Sequence, residues 1–98
     1  MTLTEHAVMR MQQRGIRRDE LELAIRFGRQ VHNGGALFIF MGARDIPGSL
    51  APARKDRLEG LTLVVNPETE EILTTYKNRG GLRMIKRKRK EYRPRIAA

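Results

Sequence analysis

The stretch that decides the fold is Leu61-Thr62-Leu63-Val64-Val65-Asn66-Pro67-Glu68-Thr69-Glu70-Glu71-Ile72-Leu73-Thr74-Thr75-Tyr76-Lys77. Two runs rich in β-branched and aromatic residues flank Asn66-Pro67-Glu68-Thr69, a turn composition. This predicts a hairpin with strands Leu61–Asn66 and Glu71–Lys77. Strict alternation along the second strand sets Ile72, Thr74 and Tyr76 on one face and Leu73, Thr75 and Lys77 on the other. Sequence leaves open which of the two faces the helical layer.

Upstream, Ala36–Gly42 reads as a third strand. Leu37, Phe38, Ile39, Phe40 and Met41 make both of its faces apolar, which suits a central position in a sheet. Gly34-Gly35 supplies a turn, and Gln30–Asn33 a short strand before it. Asp45–Pro52 reads as a loop, followed by one helical turn over Ala53–Leu58.

The N-terminal third has a helical period instead. Thr2 and Glu5 have capping-box spacing, and a helix to Arg14 follows, closed by Gly15. Leu3, Ala7, Val8 and Met11 share one face, with Ile16 folding back on it as a post-cap contact. A second helix spans Arg18–Phe27, with Asp19 and Glu20 at the dipole end that favours carboxylates. Leu21, Ala24, Ile25 and Phe27 form its apolar stripe, and Gly28 ends it. The chain is therefore expected to be α+β: an N-terminal helical hairpin packed on a small antiparallel β-sheet, with a basic C-terminal helix or tail.

Charge divides the chain at the end of the hairpin. From Met1 to Tyr76 ten basic residues balance ten acidic ones, whereas Lys77–Ala98 carries ten basic residues and one acid, hence the whole net charge of +9. A single α+β domain over residues 1–78 followed by a basic segment over 79–98 is the expected organisation. Leu82–Arg93 reads as a basic helix stopped by Pro94, anchored by Leu82, Ile85 and Tyr92, or as a solvated tail repelled by its own charge. With so few apolar anchors, truncation after Asn78 is expected to cost little folding.

The composition narrows function. No cysteine is present, which excludes disulfides, thiolate metal sites and a Cys nucleophile. The longest apolar run, Ala36–Ala43, has eight residues, against ~20 for a membrane-spanning helix. Met1–Glu5 does not start a signal peptide, so a cytoplasmic location is expected. Two histidines without clustered carboxylates do not form a metal site, and no cofactor is expected. A chain this short buries a modest core, so a homodimer would be unsurprising. The positive charge points to RNA or another polyanion as partner.

The stretch His6-Ala7-Val8-Met9-Arg10-Met11-Gln12-Gln13-Arg14-Gly15-Ile16 reads H-A-x-x-R-M-x-x-R-G-I, and Ile72–Asn78 reads I-L-T-x-Y-K-N. Together these resemble domain of unknown function 4258, over about Thr4 to Asn78. That family is similar to the ribonuclease toxins grouped around barnase, EndoU, colicin nucleases and RelE, in which N-terminal helices pack on an antiparallel sheet. The resemblance implies an RNA-directed role, by fold-level analogy, and a toxin of that group would have an acidic antitoxin or immunity partner. One departure is Arg17-Arg18-Asp19, where the motif usually has a small capping residue after the Ile.

Metal-independent RNA cleavage needs a base for the 2′-hydroxyl, cations for the phosphoryl charge and an acid for the leaving 5′-oxygen. It leaves a 2′,3′-cyclic phosphate. Histidine is the side chain most readily used as base or acid near neutral pH. His6 is the candidate base, and Arg10, four residues on, reaches what His6 reaches. Arg10 and Arg14 match phosphate in a bidentate fork. Tyr76, if turned toward His6, would donate a proton or stack on a base. The catalytic set is thus His6, Arg10 and Tyr76. Arg14, Arg17, Lys77, Arg79, Arg83, Lys86, Arg87, Lys88, Arg89, Lys90 and Arg93 form the nucleic-acid-binding set. Plainer roles compete for each: a capping histidine, ion-paired arginines, a half-buried strand tyrosine and a solubilising tail. His32 reads as a solvent-facing edge-strand residue. The alternative on the same scaffold is a non-catalytic nucleic-acid- or ribosome-binding protein, or a module that docks an acidic partner.

Overall fold

The structure is a computed structural model that describes residues 1–91, with side chains described through Lys86. In chain order it comprises β1 (Thr2–Leu3), α1 (Glu5–Arg14), α2 (Arg18–Phe27), β2 (Arg29–Asn33), β3 (Ala36–Phe40), α3 (Pro52–Leu58), β4 (Leu61–Asn66), β5 (Glu71–Lys77) and α4 (Gly81–Glu91). The five strands form one sheet in the order β1-β5-β4-β3-β2. All pairs are antiparallel except β1 with β5, which run parallel. The fold is α+β with the N-terminal helices on the sheet, as the sequence pattern requires.

Each face of the sheet carries its own core. On one, Leu37, Ile39, Met41, Leu61, Leu63, Val65 and Ile72 meet Ala7 and Met11 of α1, Leu21 and Ala24 of α2, and Leu58 of α3. On the other, Phe38 and Phe40 meet Ile85 of α4, with Leu82 and Val64 packed alongside. The doubly apolar β3 is therefore covered on both sides. Ile85 is only 2 % exposed, so α4 is docked on this face through Ile85 and Leu82. Truncation after Asn78 would remove Leu82 and Ile85 from this second cluster. Tyr92, Arg93 and Pro94 lie outside the described residues.

The start of α1 differs from the sequence reading for a tertiary reason. Thr2 and Leu3 are drawn into the sheet as β1, and the cap moves to Thr4, whose Oγ1 accepts from the Ala7 N–H at 3.1 Å. The Thr4 hydroxyl also lies 3.1 Å and 3.2 Å from the carbonyls of Ile72 and Leu73. There β5 carries one extra residue: Val64 pairs with Thr74, but Val65 pairs with Ile72. This β-bulge at Leu73 shifts the phase of the strand. Ile72 consequently faces the α1 core, while Thr74 and Tyr76, opposite Val64 and Thr62, face the α4 side. The strict alternation that grouped Ile72 with Thr74 and Tyr76 is overturned by that one residue.

The turn from α1 to α2 follows expectation. Gly15 adopts the left-handed conformation (φ 65°), and Ile16 donates its N–H to Met11 O and is buried. Such a φ strains any residue with a Cβ. Without a small capping side chain, α2 is closed by Glu20, whose Oε1 accepts from the Arg17 N–H at 2.9 Å. Phe27, expected in the buried stripe, is 42 % exposed and lies under the Arg26 guanidinium, 5.5 Å from its ring centroid. At the end of α2 the chain turns into β2, so only the Leu21–Ala24–Ile25 part of the stripe reaches the sheet.

Candidate nucleic-acid interface

The outer flank of α1 carries the first candidate residues. At 100° per residue, His6, Arg10 and Gln13 fall on one flank, away from the buried Ala7 and Met11. Arg10 Nε lies 3.4 Å from His6 Nε2, and Arg10 Nη1 lies 3.4 Å from Gln13 Oε1. In the first contact the guanidinium donates and the imidazole Nε2 accepts. His6 is exposed and Arg10 half-buried, and the helix backbone sets their spacing. Among the described residues, neither Arg10 nor Arg14 is ion-paired; the pairs found are Arg54–Asp19, Arg57–Glu20 and Arg79–Asp56. The guanidiniums of Arg10 and Arg14 are not committed to internal carboxylates, which leaves them able to meet an anion.

Tyr76 does not join them. It lies opposite Thr62 on the α4 face of the sheet, whereas α1 packs on the other face. Burial pushes the Tyr76 hydroxyl above its ordinary range, and Thr62 offsets part of this. The expected convergence of His6, Arg10 and Tyr76 is not met, because the bulge and register of β5 set the tyrosine behind the sheet. His32 is exposed on the edge strand β2, as expected.

Lys77 points the other way, opposite Leu61, toward the α1–α2 layer. It stands near a carboxylate that sequence reasoning missed. Glu20 is 4 % exposed; Arg57 donates to it from Nε at 2.6 Å and from Nη2 at 3.3 Å. Arg57 Nη2 also donates to Gly15 O at 2.7 Å. Burial alone would raise the Glu20 carboxyl. The Arg57 hydrogen bond, the Arg17 N–H and the nearby charges of Arg57 and Lys77 outweigh burial, and the carboxyl ends below its usual range. The same pairing raises Arg57. Lys77 is lowered by burial, against the attraction of Glu20 and with the repulsion of Arg57. No local signal connects Glu20 to Arg57 across 37 positions. Only Glu20's place three residues after Arg17 hinted at its inward turn.

Beside this cluster, Val8, Met11 and Ile16 floor an open cleft of about 540 Å³. Gln12, Arg17, Arg18 and Arg57 rim it. Farther along the chain, Arg79 is exposed and 3.7 Å from Asp56, and Arg83 and Lys86 are exposed on α4. The side chains of Arg87, Lys88, Arg89 and Lys90, and all of Arg93, lie outside the described residues. Among the described residues no group of three His, Cys, Asp or Glu is placed to hold a metal ion, and no helix is long and apolar enough to cross a membrane.

No match to the chain is found among curated proteins or among solved structures. The family described as domain of unknown function (DUF4258) matches residues 3–80. That span runs from β1 through β5 to the residue before α4, and it contains both the His6–Ile16 stretch and the Ile72–Asn78 stretch. The chain belongs to the DUF4258 family.

Proposed function

We propose that this protein acts on RNA, and that its contact surface is the outer flank of α1 together with the basic C-terminal segment. On this reading His6 and Arg10 provide metal-independent endoribonuclease chemistry, by analogy with the ribonuclease toxins to which the family is similar. The observation that carries it is the His6–Arg10 pair: an exposed imidazole with a guanidinium nitrogen 3.4 Å away, and that guanidinium unpaired to any carboxylate among the described residues. Arg10 would turn from His6 Nε2 to hold a phosphate beside it, which frees the Nε2 lone pair to act as base. The imidazole would take the 2′-hydroxyl proton, the 2′-oxygen would bond to phosphorus, and the bond to the 5′-oxygen would break. Solvent would supply the proton to the departing oxygen. Products would be a 2′,3′-cyclic phosphate and a 5′-hydroxyl.

The distance of Tyr76 from this flank favours a second reading, in which the protein binds RNA or the ribosome without cutting. A toxin role would add an acidic antitoxin as partner, and a symmetric homodimer is compatible with either reading. Incubating the pure protein with total RNA in EDTA separates the two. Cleavage that His6→Ala abolishes while salt-dependent binding persists supports the enzyme. Binding with a steep salt dependence and no cleavage supports the binder. Absence of both refutes an RNA-directed role.

A further inference from the structure

The cleft between α1 and α2 is a second feature of this surface, on the flank of α1 opposite to His6 and Arg10. At 100° per residue, Val8 and Gln12 lie on one side of the buried Ala7–Met11 line and His6 and Arg10 on the other. Met9, exposed at 48 %, tops the helix between the two flanks.

The cleft combines features that suit one kind of ligand. Its volume of about 540 Å³ falls in the range of small-ligand sites, about 300–1,000 Å³. Its floor is apolar: Met11 and Ile16 are core residues whose edges reach the surface here, and Val8 adjoins them. Its rim is cationic. Arg57 is held from two sides, by Glu20 at 2.6 Å and by Gly15 O at 2.7 Å. A guanidinium fixed in this way is a ready flat surface for stacking, because its ordering cost is already met within the fold. The nearby acids are engaged: Glu20 by Arg57 and the Arg17 N–H, Asp19 by Arg54 at 3.1 Å. Arg17 and Arg18 remain exposed at the mouth without an ion-pair partner among the described residues.

We infer that this cleft is a nucleotide subsite for single-stranded RNA. An unpaired base lies on Met11, Ile16 and the Arg57 guanidinium, Gln12 meets the edge of the base, and Arg17 and Arg18 take the adjoining phosphate. Bases of single strands stack on arginine guanidinium planes as well as on aromatic rings, with positive charge tracking the phosphates. This inference rests on the RNA-directed reading and extends it from a phosphate ridge to a base-binding site. A strand that crosses α1 over Met9 would touch both flanks, about 10–12 Å apart across the helix.

The test compares an adenylate RNA octamer with an abasic ribose-phosphate strand of equal length and charge, by fluorescence anisotropy. The wild type should bind the adenylate strand about tenfold more tightly. Gln12→Ala should reduce that preference, and Gln12→Glu, which adds a negative charge to the rim whose Arg17 and Arg18 take the phosphate, should weaken both strands. Adenosine monophosphate titrated into labelled protein should shift the amide signals of Gln12, Gly15 and Ile16. Melting temperatures confirm that each variant is folded; Gln12 is exposed, so both should be. Equal binding of the two strands by the wild type, or shifts clustered elsewhere on the surface, overturns the subsite and leaves RNA binding standing. Failure of both strands to bind overturns the RNA-directed reading and the subsite with it.

Discussion

Ile85→Ala tests whether the basic C-terminal segment is part of the fold. Ile85 is 2 % exposed and meets Phe38 and Phe40 on the sheet face opposite α1. Deleting three carbons from a buried isoleucine costs about 2–5 kcal/mol, the larger values where the surroundings cannot collapse. Here the cost has a ceiling, because α4 is docked on the sheet face through few apolar side chains, Ile85 and Leu82. Once the loss exceeds the docking free energy of α4, the helix detaches and the sheet remains. The expected loss therefore lies at the lower end, about 2 kcal/mol, or roughly 8–16 °C in melting temperature for a chain of this size. Met84 provides the control: it neighbours Ile85 on the same helix but is 51 % exposed, so Met84→Ala should stay within about 0.5 kcal/mol of the wild type. Thermal denaturation by circular dichroism reads both. Amide exchange at Phe38 and Phe40 then separates global unfolding from local detachment. An Ile85→Ala protein that melts with the wild type and keeps that protection would refute the docking of α4 and return the segment to the status of an arm.

Other outcomes follow from the same structure. The Glu20 carboxyl is held below its ordinary value of 4.5, so its contribution to stability is complete above that value and lost as pH falls through the lower folded value. Urea midpoints should fall in acid for the wild type; in Arg57→Met, where only the Arg17 N–H and the Lys77 charge still oppose burial of Glu20, that dependence should weaken. An unchanged acid profile in the variant would count against the pairing. Thr4→Val should cost about 1–2 kcal/mol, the usual worth of an N-cap, because it removes the acceptor for Ala7 N–H and the hydroxyl at the Leu73 bulge. Thr4→Ser, which keeps the hydroxyl, should recover most of it in the same urea titration. Gly60→Ala should destabilise, because φ is 87° and a Cβ would lie 2.7 Å from the backbone of Asn78 and Arg79. A melting temperature at or above the wild type would show that this crossing relaxes readily.

Much of the candidate surface was legible in local sequence because its geometry is helical. The spacing of His6, Arg10 and Gln13 follows from 3.6 residues per turn, and the structure brings His6 and Arg10 within 3.4 Å. Tyr76 was not legible in the same way. Its side of the sheet depends on strand phase, and a single bulge residue inverts phase without any mark in composition. The pairing of Glu20 with Arg57 spans 37 positions, and the cleft that Arg57 helps to frame exists only where α1, the turn into α2 and α3 come together.

The sequence by itself determined the elements and the charge division. Periodicity, the Gly15 turn and the Asn66–Thr69 hairpin are set by steric and hydrogen-bonding preferences that act over a few residues. Tertiary structure alone decided how those elements share their surfaces. It drew Thr2–Leu3 into the sheet and moved the cap to Thr4, turned Tyr76 to the far face, and buried Ile85 against Phe38 and Phe40. In each case the deciding free energy comes from atoms distant in sequence: a strand edge seeking partners, a carbonyl pair at a bulge, and a second apolar face of β3 that α4 covers.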